Sequence, residues 1–387
     1  MTRGLTLLLL GAIISVPAST AFAQSNGTPT NSAPSFTITG YAQPQFDHST
    51  VGDATKDRVF FRRLVVGFQT EMSEDWAGAL QIDAGPTITG DRLHLRDAYV
   101  RYRGLAGHGI TVTAGNQKVP FSRSVLESSQ RRSLIERPFT GERAYGAPGR
   151  AFAVQVDGRH SNQRIQWAAS VASVFHAPDA VEIRLDGMTE AEDNWNQGVM
   201  TTGRAEWHPE GAVPRDQGDF TRGAFRMMAG VAAFAWKNTG GRNRYTIAGV
   251  STSTLLADLD TARAVELDSG VRGHGLSIDL AWSRITGRTL DPAFTRGIYT
   301  SGHTVLQQLG SEAGYMVVPG RLELLAGADS MAIAARDALA YRLSVGTNWY
   351  MNGHRLKVGI MHRQSFNVLG VRDVRGHGTH VQAQVAF

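Results

Sequence analysis

The chain has 387 residues, including 43 glycines and no cysteine, and its formal net charge is +5. This length is long for one compact soluble core and usual for a single large barrel. The lack of cysteine excludes a disulfide scaffold, a thiolate metal site and a cysteine nucleophile.

The first 23 residues have the pattern of a secretory signal peptide. Arg3 precedes the apolar run 7–14, and Ala21-Phe22-Ala23 gives a small-x-small end before the mature chain. The run is shorter than the ~20 residues that a membrane-spanning helix needs, and no later segment reaches that length. We therefore predict a signal peptide (1–23), exclude a helical membrane protein and expect a flexible, polar mature start at 24–35.

From Phe36 onward the sequence alternates with a period of two residues. Segments 64–69, 152–157 and 343–349 each place apolar side chains at every second position, with small polar residues and isolated charges between them. In a soluble sandwich the polar set would be rich in Lys and Glu. The pattern instead predicts an all-β transmembrane antiparallel β-barrel over 36–387, apolar toward lipid and polar toward a wet lumen.

Tryptophan recurs near the ends of these segments. Such a distribution predicts an aromatic girdle at the membrane interface, formed by Trp76, Trp167, Trp207, Trp236, Trp282 and Trp349.

Short and long connections alternate along the chain. Pro319-Gly320 and Asn352-Gly353 are tight hairpin signals, and further short turns are predicted at 73–75, 104–109 and 158–163. The number of segments gives about sixteen strands with both termini on the short-turn side. Long polar loops are predicted at 47–57, 85–91, 118–150, 173–198, 237–260, 284–306, 330–339 and 365–376.

The last predicted strand ends on an aromatic residue. Residues 380–387 alternate strictly and finish at Phe387. This ending resembles the signal by which the barrel-assembly machinery selects its clients, so we expect that machinery as a partner.

The third long loop, 118–150, concentrates the charge of the chain. It contains seven bases and three acids, an excess equal to that of the whole mature chain. Residues 120–137 have helical character, ended by Pro138. We expect the loop to fold into the barrel and constrict it, with Arg123, Arg131 and Arg132 attracting anions. The alternative is a solvated loop whose charges meet lipopolysaccharide phosphates outside.

Two strands carry further arginines. If Val66 faces lipid, parity points Arg63 into the lumen, and Arg62 must lie at the rim or be turned inward by a bulge. Parity likewise groups Asp97 and Arg101 on the inner side. These residues could form an anion path, or they could form salt bridges across the lumen, for example between Asp97 and Arg63.

The sequence resembles the phosphate-selective porins of the O and P type. The resemblance rests on Phe61-Arg62-Arg63, Asp75-Trp76, the run 95–100, the run 115–122, Glu136-Arg137-Pro138, Gly314-Tyr315-Met316 and Asn348-Trp349-Tyr350. It implies a 16-stranded trimeric porin of the Gram-negative outer membrane, with an arginine-lined entry and a constriction that binds phosphate-like anions. By motif it places Arg62, Arg63, Asp97, Lys118 and Ser122 nearest the narrow zone. The narrow zone of that family is rich in lysine, whereas this sequence has only Lys118 in a matching motif. A looser anion preference is therefore an alternative to phosphate selectivity.

No catalytic, phosphate-loop or dinucleotide motif is present in the sequence. The three Gly-His-Gly triplets are interpreted as turns, so no metal or other cofactor is expected, and export excludes nucleic acid as a partner. Three hypotheses remain. The chain is an anion-preferring porin, a non-selective or sugar diffusion pore, or a plugged barrel with an adhesive or structural role.

Overall fold

The computed structural model describes residues 34–85, 93–105, 107, 109–160, 162, 164–187, 196–239 and 257–387. Most of these residues lie in strands, as the alternation predicts. The predicted signal peptide and nearly all of the predicted flexible start lie outside the described residues. The first strand begins at Ser35, one residue before the predicted barrel.

Sixteen strands form a closed antiparallel ring, and the predicted count is confirmed. The ring closes between the first and last strands, where Tyr41 lies opposite Ala386. Closure removes the sheet edges, so that backbone groups are satisfied without water. A short seventeenth strand, β8, pairs with the end of β7 outside the ring, which continues from β7 to β9. The strands are β1 (Ser35–Val51), β2 (Ala54–Glu71), β3 (Trp76–Asp83), β4 (His94–Tyr102), β5 (Ile110–Lys118), β6 (Arg150–Arg159), β7 (Ile165–Ala177), β8 (Arg184–Asp186), β9 (Asn196–Trp207), β10 (Arg226–Asn238), β11 (Leu259–Gly273), β12 (Leu276–Thr289), β13 (His303–Val318), β14 (Leu322–Ile333), β15 (Ala340–Asn352), β16 (Leu356–Phe366) and β17 (Arg375–Ala386).

Side chains alternate between the two faces of the ring. On β15, Leu343 and Val345 are 50% and 59% exposed, whereas Ser344 between them is 4% exposed. Exposed apolar residues recur in the same way on the other strands. The outer face is therefore the apolar surface that lipid requires, and the inner face is polar.

The aromatic girdle is only partly as predicted. Trp76, Trp167, Trp207 and Trp349 are exposed and lie near the short-turn ends of their strands. Trp236 points inward and is 1% exposed, so its placement in the girdle was wrong. Its indole Nε1 donates to the backbone oxygen of Val174 at 3.0 Å, a bond that gives the buried ring its polar partner.

The connections alternate in length with two exceptions. The predicted first loop, 47–57, is instead the tip of a hairpin in which β1 and β2 continue to a turn at Gly52 and Asp53. Gly52 has φ +57°, which suits this tight turn. The β9–β10 connection, 208–225, has 18 residues although it lies on the short-turn side. The start of β1 and the end of β17 both lie on that side, as predicted.

Several long connections pack inside the ring. Phe121 and Phe139 of the third loop meet Ile183 of the β7–β9 connection and Ile298 of the β12–β13 connection in one buried cluster. Trp236 belongs to the same cluster. We call it the inner apolar core. Its strand residues come from β6–β14 and the start of β15, so it lies against that side of the lumen.

In the predicted helical stretch 120–137 the structure has a four-residue helix, α1 (Arg123–Leu126), and a 3-10 turn (Ser129–Arg131). Glu127 is extended and ends α1 after one turn. No helix in the described part of the chain is long and apolar enough to cross a membrane.

Candidate functional site

Residues 119–149, here called loop 3, lie inside the ring. Asn348 on β15 donates to Ser133 O at 3.0 Å, and the Asp329 carboxylate on β14 accepts from Phe139 N at 3.0 Å. Gly310 on β13 allows close approach, because a Cβ at that position would lie 2.8 Å from Pro138. These contacts come from inward-facing positions on the wall.

Two arginines of loop 3 are paired with acids on the wall. Arg123 pairs with Asp279 on β12 at 2.9 Å, and Arg132 pairs with Glu312 on β13. Arg132 also pairs with Glu127 of the loop itself at 2.6 Å. The two pairs with the wall dock the loop on β12 and β13.

A bulge on β2 turns both arginines of the Arg62-Arg63 pair inward. The register between β1 and β2 shifts at this point, since Gln43 lies opposite Arg63 and Pro44 lies opposite Phe61. The extra residue, Arg62, reaches Glu136 of loop 3 instead of lipid. Of the two alternatives that the sequence left open for Arg62, the bulge is the one observed.

A second bulge lies on β4. Leu80 on β3 lies opposite Ala98, and Ile82 lies opposite Leu95, so the intervening pair on β4 faces one residue of β3. That pair is Arg96-Asp97. The predicted bond between Asp97 and Arg63 is not formed. Asp97 pairs with Arg150 at 2.8 Å, and Arg63 lies 3.5 Å from Asp83, which also binds Arg96.

A cavity lies between loop 3 and the wall formed by β1, β2 and β15–β17. Five basic side chains line it, and its lining within the described residues contains no carboxylate. Amide groups of Gln43, Asn348 and Gln382 and two serine side chains complete the polar lining. The basic residues are Arg62, Arg63, Arg132, Arg137 and Lys357.

Two of these bases have no carboxylate within ion-pair distance among the described residues. Arg137 donates to the hydroxyls of Ser124 and Ser129, and Lys357 donates to the backbone oxygen of Arg132. Burial and the neighbouring Arg132 lower the pKa of Arg137 to about 9. Burial is the larger of these two causes. The excess of positive charge in the cavity follows from its lining, which has five bases and no carboxylate among the described residues.

The other predicted site residues do not line this cavity. Arg101 contacts Thr113 and the ring of Tyr99, and Lys118 donates to the backbone oxygens of Leu126 and Glu127. Their roles in the lumen are therefore local or structural.

Two of the predicted loop residues are buried and lie away from this cavity. Ser122 is fully buried and donates to Thr140 O, while Arg123 is buried against Asp279. Arg131 is exposed but paired with Asp216 at 2.7 Å. These side chains position loop 3, and the direct lining falls to Arg62, Arg63 and Arg132 from the predicted set.

Sequence reasoning missed Arg137 and Lys357 as lining residues. Lys357 could have been found, because it occupies a polar position between the lipid-facing Leu356 and Val358. Arg137 lay in the predicted loop, but nothing in the sequence distinguishes it from the paired arginines. The described residues contain no group of three or more His, Asp and Glu side chains arranged to hold a metal.

A closed ring of sixteen strands, apolar outside and polar inside, with a loop packed against its inner wall, defines an outer-membrane channel of the porin class. The sequence model of the family called phosphate-selective porin O and P matches residues 39–249. This match covers more than half of the chain, which belongs to that family. The family and fold are those of channels in the outer membrane of Gram-negative bacteria.

Solved structures of other porins share the fold. An anion-selective porin from Comamonas acidovorans has a TM-score of 0.59 and 13% identity, with 92% of this chain and 100% of that chain covered. The trimer form of the outer-membrane protein OmpT from Vibrio cholerae has a TM-score of 0.58 and 10% identity, with 92% and 100% covered. The outer-membrane channel DcaP of Acinetobacter baumannii has a TM-score of 0.56 and 13% identity, with 93% and 99% covered. No curated protein matches the sequence.

Proposed function

We propose that this porin passes small hydrophilic solutes with a preference for anions, and that loop 3 is its constriction. The observation that carries the proposal is the cavity beside loop 3, which five bases and no carboxylate line among the described residues. Anions of the phosphate type are the proposed preferred solutes, because the planar fork of Arg matches their oxygens.

Electrostatic focusing gives this cavity its effect. Low-dielectric walls concentrate the field of a few charges, and rings of charged side chains are a common selectivity device in pores. Arg137 and Lys357 contribute most, since neither is neutralised by a nearby carboxylate. Arg62 and Arg132 contribute less, because each is paired with a glutamate.

The family name and the similar porins support further proposals about solute and assembly. The family name refers to phosphate, the Comamonas acidovorans structure is an anion-selective porin, and the Vibrio cholerae protein has a trimer form. We extend the proposal to a homotrimer that contacts outer-membrane lipid and lipopolysaccharide. Residues 1–23 would direct export, and Phe387 would present the chain to the barrel-assembly machinery.

Planar-bilayer recording tests the proposal. In a KCl gradient the reversal potential of the wild-type protein should report a preference for chloride, and added phosphate should reduce the chloride current competitively. The double variant Arg137→Gln, Lys357→Gln should lower the anion-to-cation permeability ratio about two- to tenfold, since pore potentials amount to several kT. Arg321→Gln, in the short turn after β13, is the matched control and should leave the ratio unchanged.

Three other recordings would contradict parts of this proposal. A wild-type pore without ion preference or phosphate block would support the non-selective or sugar diffusion pore instead. A wild-type barrel without conductance would support the plugged barrel. An unchanged ratio in the double variant would remove the cavity from the selectivity mechanism.

A further inference from the structure

The β9–β10 connection is unlike the other connections on its side of the barrel. Those have two to seven residues, whereas this one has 18. Its base at 221–225 is exposed, but Gln217 is 4% exposed and Asp219 is also buried. The middle of the connection therefore turns into the lumen from the short-turn side.

Inside the lumen the connection is fixed to the wall. Asp219 accepts a hydrogen bond from Gly275 N at 2.8 Å, and Gly218 N donates to Ser277 Oγ at 3.3 Å. The ring of Phe220 packs edge-on against Tyr350 of β15, with centroids 4.9 Å apart. These contacts join the connection to the turn between β11 and β12 and to β15.

Gln217 joins the connection to loop 3 through its backbone and its side chain. Its backbone N–H donates to Arg131 O at 3.1 Å, and its side-chain oxygen accepts from Ser133 N at 2.8 Å. Its side-chain nitrogen donates to Glu312 on β13 at 3.0 Å, and its backbone oxygen contacts His354 Nε2 at 2.8 Å. One residue thus satisfies partners on loop 3, on the wall and on the β15–β16 turn.

The residues that Gln217 holds are next to the anion cavity. Arg132 and Ser133 line that cavity, and Gln217 binds the residues on either side of Arg132 through Arg131 O and Ser133 N. A second link is the ion pair between Asp216 and Arg131 at 2.7 Å. The position of this cavity wall consequently depends on a segment that enters from the opposite mouth of the barrel.

We propose that the β9–β10 connection is a second inward segment of the pore, and that Gln217 is a positioning residue that fixes the width of the cavity beside loop 3. Gln217 itself carries no charge and does not line the cavity. Loss of the Gln217 side chain should therefore change the single-channel conductance and make it fluctuate, while the sign of the ion preference stays the same. The effect of Gln217 on pore width does not depend on the ion preference of the wild-type pore.

Single-channel recording of Gln217→Ala tests this role. Removing the side chain leaves Ser133 N and a Glu312 oxygen without their partner, and unsatisfied buried polar groups destabilise the position of the loop. We expect the single conductance level of the wild type to be replaced by several interconverting levels. Pro214→Ala, an exposed position on the same connection, is the matched control and should retain one level. A single wild-type level in Gln217→Ala would overturn the proposal.

A disulfide provides a second measurement if Gln217→Ala does not assemble. Arg131 and Gln217 share a backbone hydrogen bond, which brings their backbones close enough for a disulfide, and the native chain has no cysteine. The variant Arg131→Cys, Gln217→Cys should show one level when oxidised and several after reduction in the bilayer. Arg131→Cys alone should not respond to reductant. Identical recordings of the double variant before and after reduction would contradict the positioning role.

Discussion

Arg62 on β2 and Glu136 of loop 3 form a two-point ion pair, with Nη1 and Nη2 of the arginine 2.5 and 2.8 Å from the two carboxylate oxygens. The pair ties loop 3 to the wall opposite its main docking surface. It also places a negative charge beside the basic cavity. Glu136 therefore stabilises the loop and weakens the attraction that Arg62 exerts on anions.

Replacing Glu136 with Gln should increase anion preference. The amide can keep one hydrogen bond to Arg62 but no longer neutralises it. We expect the anion-to-cation permeability ratio, measured from reversal potentials, to rise about two- to fivefold, because pore potentials of several kT set this ratio. Glu74→Gln, in an exposed short turn, removes the same charge outside the lumen and serves as control. An equal rise in both variants would show that net charge, rather than the Arg62 pair, is responsible.

Arg132 should be the most sensitive docking residue of loop 3. It is buried between Glu127 and Glu312, so Arg132→Ala leaves two buried carboxylates unpaired at a cost of ~3–5 kcal/mol. Hydrogen exchange of loop 3 amides, such as Phe139 N, should accelerate about a hundredfold or more.

The control for Arg132 removes the whole charge cluster. In the triple variant Glu127→Gln, Arg132→Met, Glu312→Gln no buried ion lacks a partner, so exchange should return most of the way to the wild-type rate. Equally fast exchange in the single and triple variants would mean that lost contact, not unpaired charge, loosens the loop.

Trp236 should stabilise the barrel without affecting ion preference. It lies in the inner apolar core, away from the cavity formed with β1, β2 and β15–β17. Trp236→Ala should lower the free energy of unfolding by ~3–5 kcal/mol, since it leaves a large void, and a denaturant titration in detergent would measure this. Trp349→Ala, on the exposed outer face, should cost less. A changed reversal potential in Trp236→Ala would show that the inner apolar core also shapes the ion path.

The sequence predicts the barrel well because alternation is a local property. Each strand needs an apolar outer side, as at Leu343 and Val345, so the pattern repeats wherever the ring meets lipid. The same reasoning fails at Arg62, because a bulge inserts one residue and reverses parity. Periodicity alone could state the alternatives for Arg62 but could not choose between them.

The candidate site depends on contacts that are remote in the chain. Arg132 and Glu312 are 180 residues apart, and Arg62 and Glu136 are 74 apart. A count of charges in loop 3 therefore could not show which arginines are neutralised. The inward turn of the β9–β10 connection also has no periodic signal, because its contacts come from single side chains such as Gln217.

Phe387 should matter more for assembly in the cell than for the stability of the finished barrel. Its backbone N–H and C=O pair with Gly40 at 3.0 and 3.1 Å, and Phe387→Ala keeps both bonds. We expect the variant to reduce the folded fraction in cells, measured by heat-modifiable migration in gels, while its refolded form unfolds at the same denaturant concentration as the wild type. Val385→Ala removes an exposed apolar side chain from the same strand and should assemble normally. Equal losses in both variants would assign the effect to the lipid-facing surface rather than to recognition of the last residue.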